Sequence, residues 1–172
     1  MPTALDFGTG SGCLAIALAV KCPAAQIHAT DISSDALAVA RQNAAQHGVR
    51  ERIQFHAGDG FAPLPVGLWC DLIAANPPYI PSAEIATLEP EVRDHDPRSA
   101  LDGGVDGLDF YHRLAAEAAA WLKPEGKLML EVGEGQAAAI GVILQGHQWN
   151  IEGVEKDLND RKRFLIASRA QL

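Results

Sequence analysis

The sequence predicts a doubly wound α/β fold, one mostly parallel sheet with helices on both faces. Three observations predict it. Short apolar strands alternate with helical patterns in a β-α-β-α-β order. The first strand runs directly into a glycine-rich turn, Gly8-Thr9-Gly10-Ser11-Gly12, and the second ends at a carboxylate, Asp31. The 172 residues suffice for one domain with a substantial core, and 48% of them are hydrophobic, an ordinary share for a globular chain.

The elements follow in order. Thr3–Phe7 reads as a short buried strand. Cys13–Val20 is apolar nearly all round, the pattern of a helix packed tightly on a sheet, and Pro23 lies beyond its end. Gln26–Asp31 alternates Ile27 and Ala29 with His28 and Thr30, the period of a strand. Ser33, Ser34 and Asp35 offer an N-cap to a helix over Ala36–His47, and Gly48 stops it. Ile53–His56 is a third strand. Asp71–Ala75 is a fourth, ending at Asn76-Pro77-Pro78-Tyr79. Ile80–Asp106 is rich in Pro, Asp and Gly, with at most a short helix near Ile85; a connection this long is usually functional or disordered. Gly107–Trp121 predicts a helix, Pro124-Glu125-Gly126 a turn, Lys127–Val132 a strand and Gln136–Gln145 a helix of small residues. Trp149–Glu155 and Arg163–Ser168 are the last strands, joined by Lys156–Lys162.

Charge narrows the function classes. Twenty-two acidic residues against 14 basic give a net charge of −8. Such a body repels phosphate backbones, so tight nucleic-acid binding would need a local basic patch. Cys13, Cys22 and Cys70 have no metal-site spacing and read as reduced, buried thiols of a cytoplasmic protein. No apolar run reaches the ~18 residues of a membrane span, and no secretory signal opens the chain. The chain enters its first strand at once, as a fragment of a longer protein would. His28, His47, His56, His95, His112 and His147 are scattered and read as surface or satisfied residues, so no metal is expected. Trp69, Trp121 and Trp149 read as core or strand-edge packing, and the acids of Asp102–Asp109 as a solvated loop and helix cap.

In doubly wound sheets ligands sit beyond the carboxyl ends of the strands, so the residues following each strand are the candidates. The glycines of Gly8–Gly12 permit a sharp turn and a close approach of backbone to ligand. A dinucleotide fingerprint fits this loop only with slippage: from Gly8 its third position is Cys13, and from Gly10 it is Ala15 but begins late. The spacing Asp6-x-Gly8-x-Gly10-x-Gly12 fits the methyltransferase loop without slippage. There the glycines wrap the methionine part of the cofactor, and Asp6 lies near its ammonium. Asp31 would accept ribose hydroxyls in either class, with Ile32 beside it. Asp59 and Gly60, after the third strand, would lie near adenine, although Gly-Asp-Gly is also a generic turn. Asn76-Pro77-Pro78-Tyr79 carries the chemistry. Two prolines remove two N–H donors and leave carbonyl oxygens and the Asn76 amide. That suits a substrate arriving as –NH2: the Asn76 side-chain oxygen and the Pro77 carbonyl each accept one N–H, and Tyr79 forms an aromatic wall.

At these residues the sequence resembles the amino-methyltransferases with an Asn-Pro-Pro-Tyr motif. They include adenine-N6 nucleic-acid enzymes and glutamine-N5 protein enzymes. The blocks Tyr79-Ile80-Pro81, Glu91-Val92-Arg93 with Asp96-Pro97, Ala100–Gly104 and Asp106–Tyr111 resemble the HemK-type glutamine methyltransferases. Glu131-Val132-Gly133 and Asp157-Leu158 with Arg161 and Arg163 are similar to the branch that modifies peptide chain release factors. The resemblance implies a Rossmann-like class I fold, a seven-stranded sheet with an antiparallel last strand. It implies S-adenosyl-L-methionine as cofactor, S-adenosyl-L-homocysteine as product, and the glutamine of a Gly-Gly-Gln loop in release factors as substrate. The implied cofactor residues are Gly8, Thr9, Gly10, Ser11, Gly12, Asp31, Ile32, Asp59, Gly60 and Asn76. Those of catalysis and substrate binding are Asn76, Pro77, Pro78 and Tyr79. The whole chain would then be the catalytic domain, without the N-terminal helical domain of the family. It departs from the family at Asp96, where Glu is more usual, and at Gly60, where a large side chain often stacks on adenine. Adenine-N6 methylation, methylation of a ribosomal protein, and a silent binding module are the rival readings; the charge and the lack of aromatic-basic clusters weigh against nucleic acid.

Overall fold

The computed structural model describes residues 1–170. Seven strands form one sheet: β1 (Thr3–Phe7), β2 (Gln26–Asp31), β3 (Ile53–Ala57), β4 (Cys70–Ala75), β5 (Leu122–Glu131), β6 (Trp149–Lys156) and β7 (Lys162–Arg169). Their order is β3-β2-β1-β4-β5-β7-β6. β1 runs parallel to both β2 and β4, β2 runs parallel to β3, and β7 is antiparallel to β6. This is the predicted mixed sheet. Chain order reverses across β1, which has β2 on one side and β4 on the other, and such a reversal is where doubly wound folds bind ligands.

The chain divides into two compact units. The first comprises Met1–Asn76 with Ala120–Met129, and the second Pro77–Ala119 with the chain from Leu130 onward. In the first, α1 (Cys13–Lys21) buries Ala15, Ile16 and Ala19, and its small residues let the helix lie close on the sheet. α2 (Ser34–Gln46) buries Leu37, Ala40 and Ala44. The Ser33 hydroxyl accepts from the Ala36 N–H at 3.1 Å, the predicted cap. The core gathers Ala15, Ile16, Ala19, Ile27, Ala29 and Ile53. Arg52 donates to the Ala19 and Cys22 carbonyls at 2.5 and 2.8 Å, closing the open C-terminus of α1.

The second unit holds a four-residue helix, α3 (Pro90–Arg93), then α4 (Asp109–Glu117) and α5 (Ala137–Gly146). Trp149 is buried there and donates its indole N–H to the Ala115 carbonyl at 2.8 Å.

Several expectations need correction. Pro124-Glu125-Gly126 is not a turn; β5 starts at Leu122 and runs through it. Leu122 is fully buried, and Gly126 packs so closely on the Cys70 carbonyl that a Cβ would lie 2.9 Å from that oxygen. Burial of Leu122 and Gly126, on either side of the exposed Pro124 and Glu125, overrides the turn chemistry. The helix after the long segment begins at Asp109, not Gly107, and passes into 3-10 turns over Ala118–Trp121. Cys13 and Cys22 are exposed; only Cys70 is buried, and burial pushes its thiol up to about 11. Trp69 is half exposed, whereas Trp121 stacks on Phe61.

The histidines hold one arrangement that is not visible in the sequence. β2 and β3 pair His28 with Gln54, so His56, two residues on, shares a face with His28. The rings stack, with Nδ1 of His28 2.9 Å from Nε2 of His56. Burial, reinforced by His56, lowers His28 to about 4, and burial also lowers His56. The native state therefore resists protons that the unfolded chain takes up near 6.5. Stability is complete above that pH, erodes as pH falls, and stops eroding below about 4. His28→Gln should flatten this part of the acid dependence, by up to about 3 kcal/mol across the window. Urea unfolding at stepped pH, with wild type and variant compared pairwise, measures it. The pairing matters because Asp6, raised to about 6, contributes with the opposite sign.

Candidate functional site

The loops after the first three strands are tied together at Asp31. Its Oδ2 accepts from the Gly10 N–H at 2.8 Å and its Oδ1 from the Ser33 N–H at 2.9 Å. Its backbone carbonyl accepts from the Gly58 N–H at 3.0 Å, and the Thr30 carbonyl from the Thr9 N–H at 2.8 Å. The predicted residues Gly8–Gly12, Asp31 and the Asp59-Gly60 turn thus meet at one sheet edge. Asp31 also has a role the sequence did not disclose: it orders the glycine loop. Ile32, next to it, is 70% exposed, unusual for its size beside a structured strand end.

Asp6 lies behind the loop, 1% exposed. Its Oδ2 accepts from the Thr9 hydroxyl at 2.5 Å and the Ala15 N–H at 2.9 Å. Its Oδ1 is buried without a partner. Burial raises the carboxyl to about 6, against the lowering effect of the two hydrogen bonds.

The glycines of the loop differ in purpose. Gly12 has φ 90°, and a Cβ there would lie 3.0 Å from the Ala40 Cβ, so it serves helix packing. At Gly8 and Gly10 a Cβ would meet nothing within 4 Å, so these two border open space of the kind a ligand could enter. β1 and β4 are level at Phe7 and Ala75, so Gly8 and Asn76 leave adjacent strands side by side. The Asn76 side chain is exposed and makes no hydrogen bond among the described residues. Asp59 is exposed in its turn.

Pro77, Pro78 and Tyr79 open the second unit. Pro77 is buried, and the next two residues are half-buried. The long segment after them is no free loop. Its far end returns to pair with its beginning: the Ile80 N–H donates to the Leu101 carbonyl at 3.0 Å, the Gly103 N–H to the Ile80 carbonyl at 2.9 Å, and the Ser82 N–H to the Gly104 carbonyl at 2.8 Å. Asp102 accepts from the Ser82 hydroxyl at 2.5 Å and the Gly104 N–H at 3.1 Å, so it is a structural carboxylate rather than a merely solvated one. Gly103 and Gly107 approach the motif's backbone. A Cβ at Gly103 would lie 2.9 Å from both the Pro78 carbonyl oxygen and the Tyr79 Cα, and one at Gly107 would strike the Tyr79 carbonyl. Gln136 donates to that same carbonyl at 3.0 Å. Gly103 and Gly107 lie in the blocks Ala100–Gly104 and Asp106–Tyr111 that carry the resemblance, whereas Gln136 does not stand out in the sequence. Among the described residues no group of three His, Cys, Asp or Glu side chains could hold a metal ion.

Comparison with known proteins places the chain in a family. Residues 2–88 match the family described as the methyltransferase small domain. The chain is 45% identical to the release factor glutamine methyltransferase of Cereibacter sphaeroides, over 96% of this chain and 59% of that protein. It is 46% identical to the protein of the same name from Deinococcus radiodurans, over 98% and 59%. It spans between about half and three-fifths of the curated relatives it matches. Among solved structures, a ribosomal protein L11 methylase from Lactobacillus delbrueckii subsp. bulgaricus superposes with TM-score 0.72 at 25% identity, covering 99% of this chain and 72% of that one. A methyltransferase from Pyrococcus furiosus superposes with TM-score 0.71 at 18% identity, covering 98% and 75%.

Two glycine substitutions should separate packing from binding. Each imposes a left-handed conformation on alanine, at about 1–2 kcal/mol. Gly12→Ala adds the collision with Ala40 and should lower the melting temperature further than Gly10→Ala. Gly10→Ala should instead weaken S-adenosyl-L-homocysteine binding at least tenfold, measured by calorimetry beside thermal melts of both variants.

Proposed function

The chain belongs to the methyltransferase small domain family, and we propose that it is the catalytic part of a protein-(glutamine-N5) methyltransferase that modifies the Gly-Gly-Gln loop of peptide chain release factors. The observation that carries this reading is Asn76-Pro77-Pro78-Tyr79 at the end of β4, with an unpartnered, exposed amide at Asn76 and no N–H at the two residues after it. The names of the curated relatives support the substrate.

The first unit's residues suit S-adenosyl-L-methionine. Asp6, beneath the loop that it helps to shape, would lie near the ammonium of its methionine part. The open faces of Gly8 and Gly10 would admit its backbone-hugging chain, with Thr9, Ser11 and Gly12 completing the loop. Asp31 would hold the ribose hydroxyls, exposed Ile32 would cover one adenine face, and Asp59-Gly60 would border the adenine amino group. When bound, this cofactor supplies an electrophilic sulfonium methyl and leaves as S-adenosyl-L-homocysteine.

The chain's own part in the reaction is orientation. The Asn76 side-chain oxygen and the Pro77 carbonyl would each accept one N–H of the glutamine amide. That fixes the plane of the –NH2 and directs the nitrogen lone pair. Orientation of a reacting pair can supply up to roughly 7–11 kcal/mol of a barrier. Tyr79 would flank the planar amide, with Pro78 setting the angle between them. The nitrogen loses its proton after the new N–C bond forms, so no strong base is required. Among the described residues no helix is long and apolar enough to cross a membrane; a substrate of the translation machinery implies action in the cytoplasm.

The test supplies methyl-labelled S-adenosyl-L-methionine and a purified release factor to the full-length protein, and maps the label by peptide mass spectrometry. Label should fall on the Gly-Gly-Gln glutamine and drop at least about 100-fold in Asn76→Ala, the scale of a lost orienting contact. Label on RNA, DNA or a ribosomal protein instead, or undiminished label in the variant, would overturn the reading.

A further inference from the structure

We propose that Gln136 is a positioning residue for the amide-accepting motif, acting through the Tyr79 carbonyl. The inference rests on the function proposed above and concerns the same site.

The geometry is specific. Gln136 stands just before α5, and both ends of its side-chain amide are used. Oε1 accepts from the Gly133 N–H at 3.0 Å, and Nε2 donates to the Tyr79 carbonyl at 3.0 Å. One partner can only donate and the other only accept, so the amide has a single workable orientation. The surroundings leave it no room to move. A Cβ at Gly107 would lie 2.8 Å from Nε2, and a Cβ at Gly133 would strike Oε1 and lie 3.1 Å from Cδ2 of the Tyr79 ring.

The far side of the bridge is anchored. The Val132 N–H donates to the Arg163 carbonyl at 2.9 Å, and the Arg163 guanidinium returns a bond to the Val132 carbonyl at 3.3 Å. The buried Tyr111 hydroxyl donates to the Glu131 carbonyl at 2.8 Å. Arg161 pairs with Glu134 at 3.3 Å, in the turn that carries Gly133. The Tyr79 carbonyl is thereby tied, through one side chain 57 residues away, to a segment fixed at four points.

The motif needs such a tie. Pro77 and Pro78 donate nothing, and the first backbone N–H bond after them is that of Ile80. Without Gln136 the Tyr79–Ile80 peptide plane is held on one side only, by the Ile80 N–H bond to the Leu101 carbonyl, and is less restrained against rotation. Rotation would swing the Tyr79 ring and shift the carbonyls upstream, and a misplacement of about 1 Å can cost 10²-fold in rate.

The experiment compares wild type, Gln136→Ala, Gln136→Asn and Gln136→Glu in the full-length protein. Gln136→Ala should lower kcat for release-factor methylation about 10- to 100-fold while the Kd for S-adenosyl-L-homocysteine and the melting temperature change little. Gln136→Asn, one methylene short, should not restore it. Gln136→Glu carries the distinguishing signature. Ionised, it sets a negative oxygen against the Tyr79 carbonyl; protonated, it regains a donor. Its kcat relative to wild type should therefore rise as pH falls through the carboxyl range. A kcat within twofold of wild type in Gln136→Ala, or a Gln136→Glu profile parallel to wild type, overturns the inference. An inactive wild type defeats the proposed function instead. Amide hydrogen exchange over residues 79–82 then decides this one: faster exchange in Gln136→Ala, with β1 unchanged, supports it, and unchanged exchange refutes it.

Discussion

Two successive prolines leave the chain with nothing to donate at Pro77 and Pro78, and the second unit is organised around that deficit. A strand end normally continues into a turn that holds itself by its own N–H bonds. This one is held from outside. The segment following Ile80 travels away, folds through short helical turns and comes back to bridge Ile80 at Asp102. Gly103 and Gly107 then lie so near the Pro78 and Tyr79 backbone that any larger residue would displace it. The length of this connection, puzzling in a compact chain, follows from the path it must take, out from Ile80 and back again to buttress its own starting point.

The first unit solves a different problem with two carboxylates. Asp31 sits at the rim, bonded to backbone N–H groups on both sides, and keeps three loops in register. Asp6 sits beneath the loop, desolvated and half-satisfied, which holds its carboxyl near 6 instead of the ordinary 3.8. The same chemical group thus serves as a scaffold at the rim and is left with one unpartnered oxygen beneath the loop. Both acids and all of these bonding partners belong to the first unit.

What the sequence disclosed and what it hid divide by range. The glycine turn, the Ser33 cap, Asp31 at its strand end and the motif after β4 are local signals, and each lies where local chemistry put it. Pro124-Glu125-Gly126 was an equally local signal and misled, because burial of Leu122 and Gly126 outweighs turn propensity. The His28–His56 contact becomes visible only once β2 and β3 are known to pair with His28 opposite Gln54. Gln136 reads as an unremarkable helix start until topology brings it to Tyr79. Exposure of Cys13 and Cys22 was hidden for a related reason: the apolar run around them has no marked polar face to say which side meets solvent.

The central claim is that Asn76 and Pro77 receive a planar amide on a backbone held ready for it. A crystal structure of the protein with S-adenosyl-L-homocysteine and a Gly-Gly-Gln peptide tests it most directly. The predicted result is a glutamine –NH2 donating one N–H to Oδ1 of Asn76 and the other to the Pro77 carbonyl, with the Pro78–Tyr79 backbone and its bond from Gln136 as in the free protein. A glutamine amide bonded elsewhere, or a motif that rebuilds itself on binding, would contradict it.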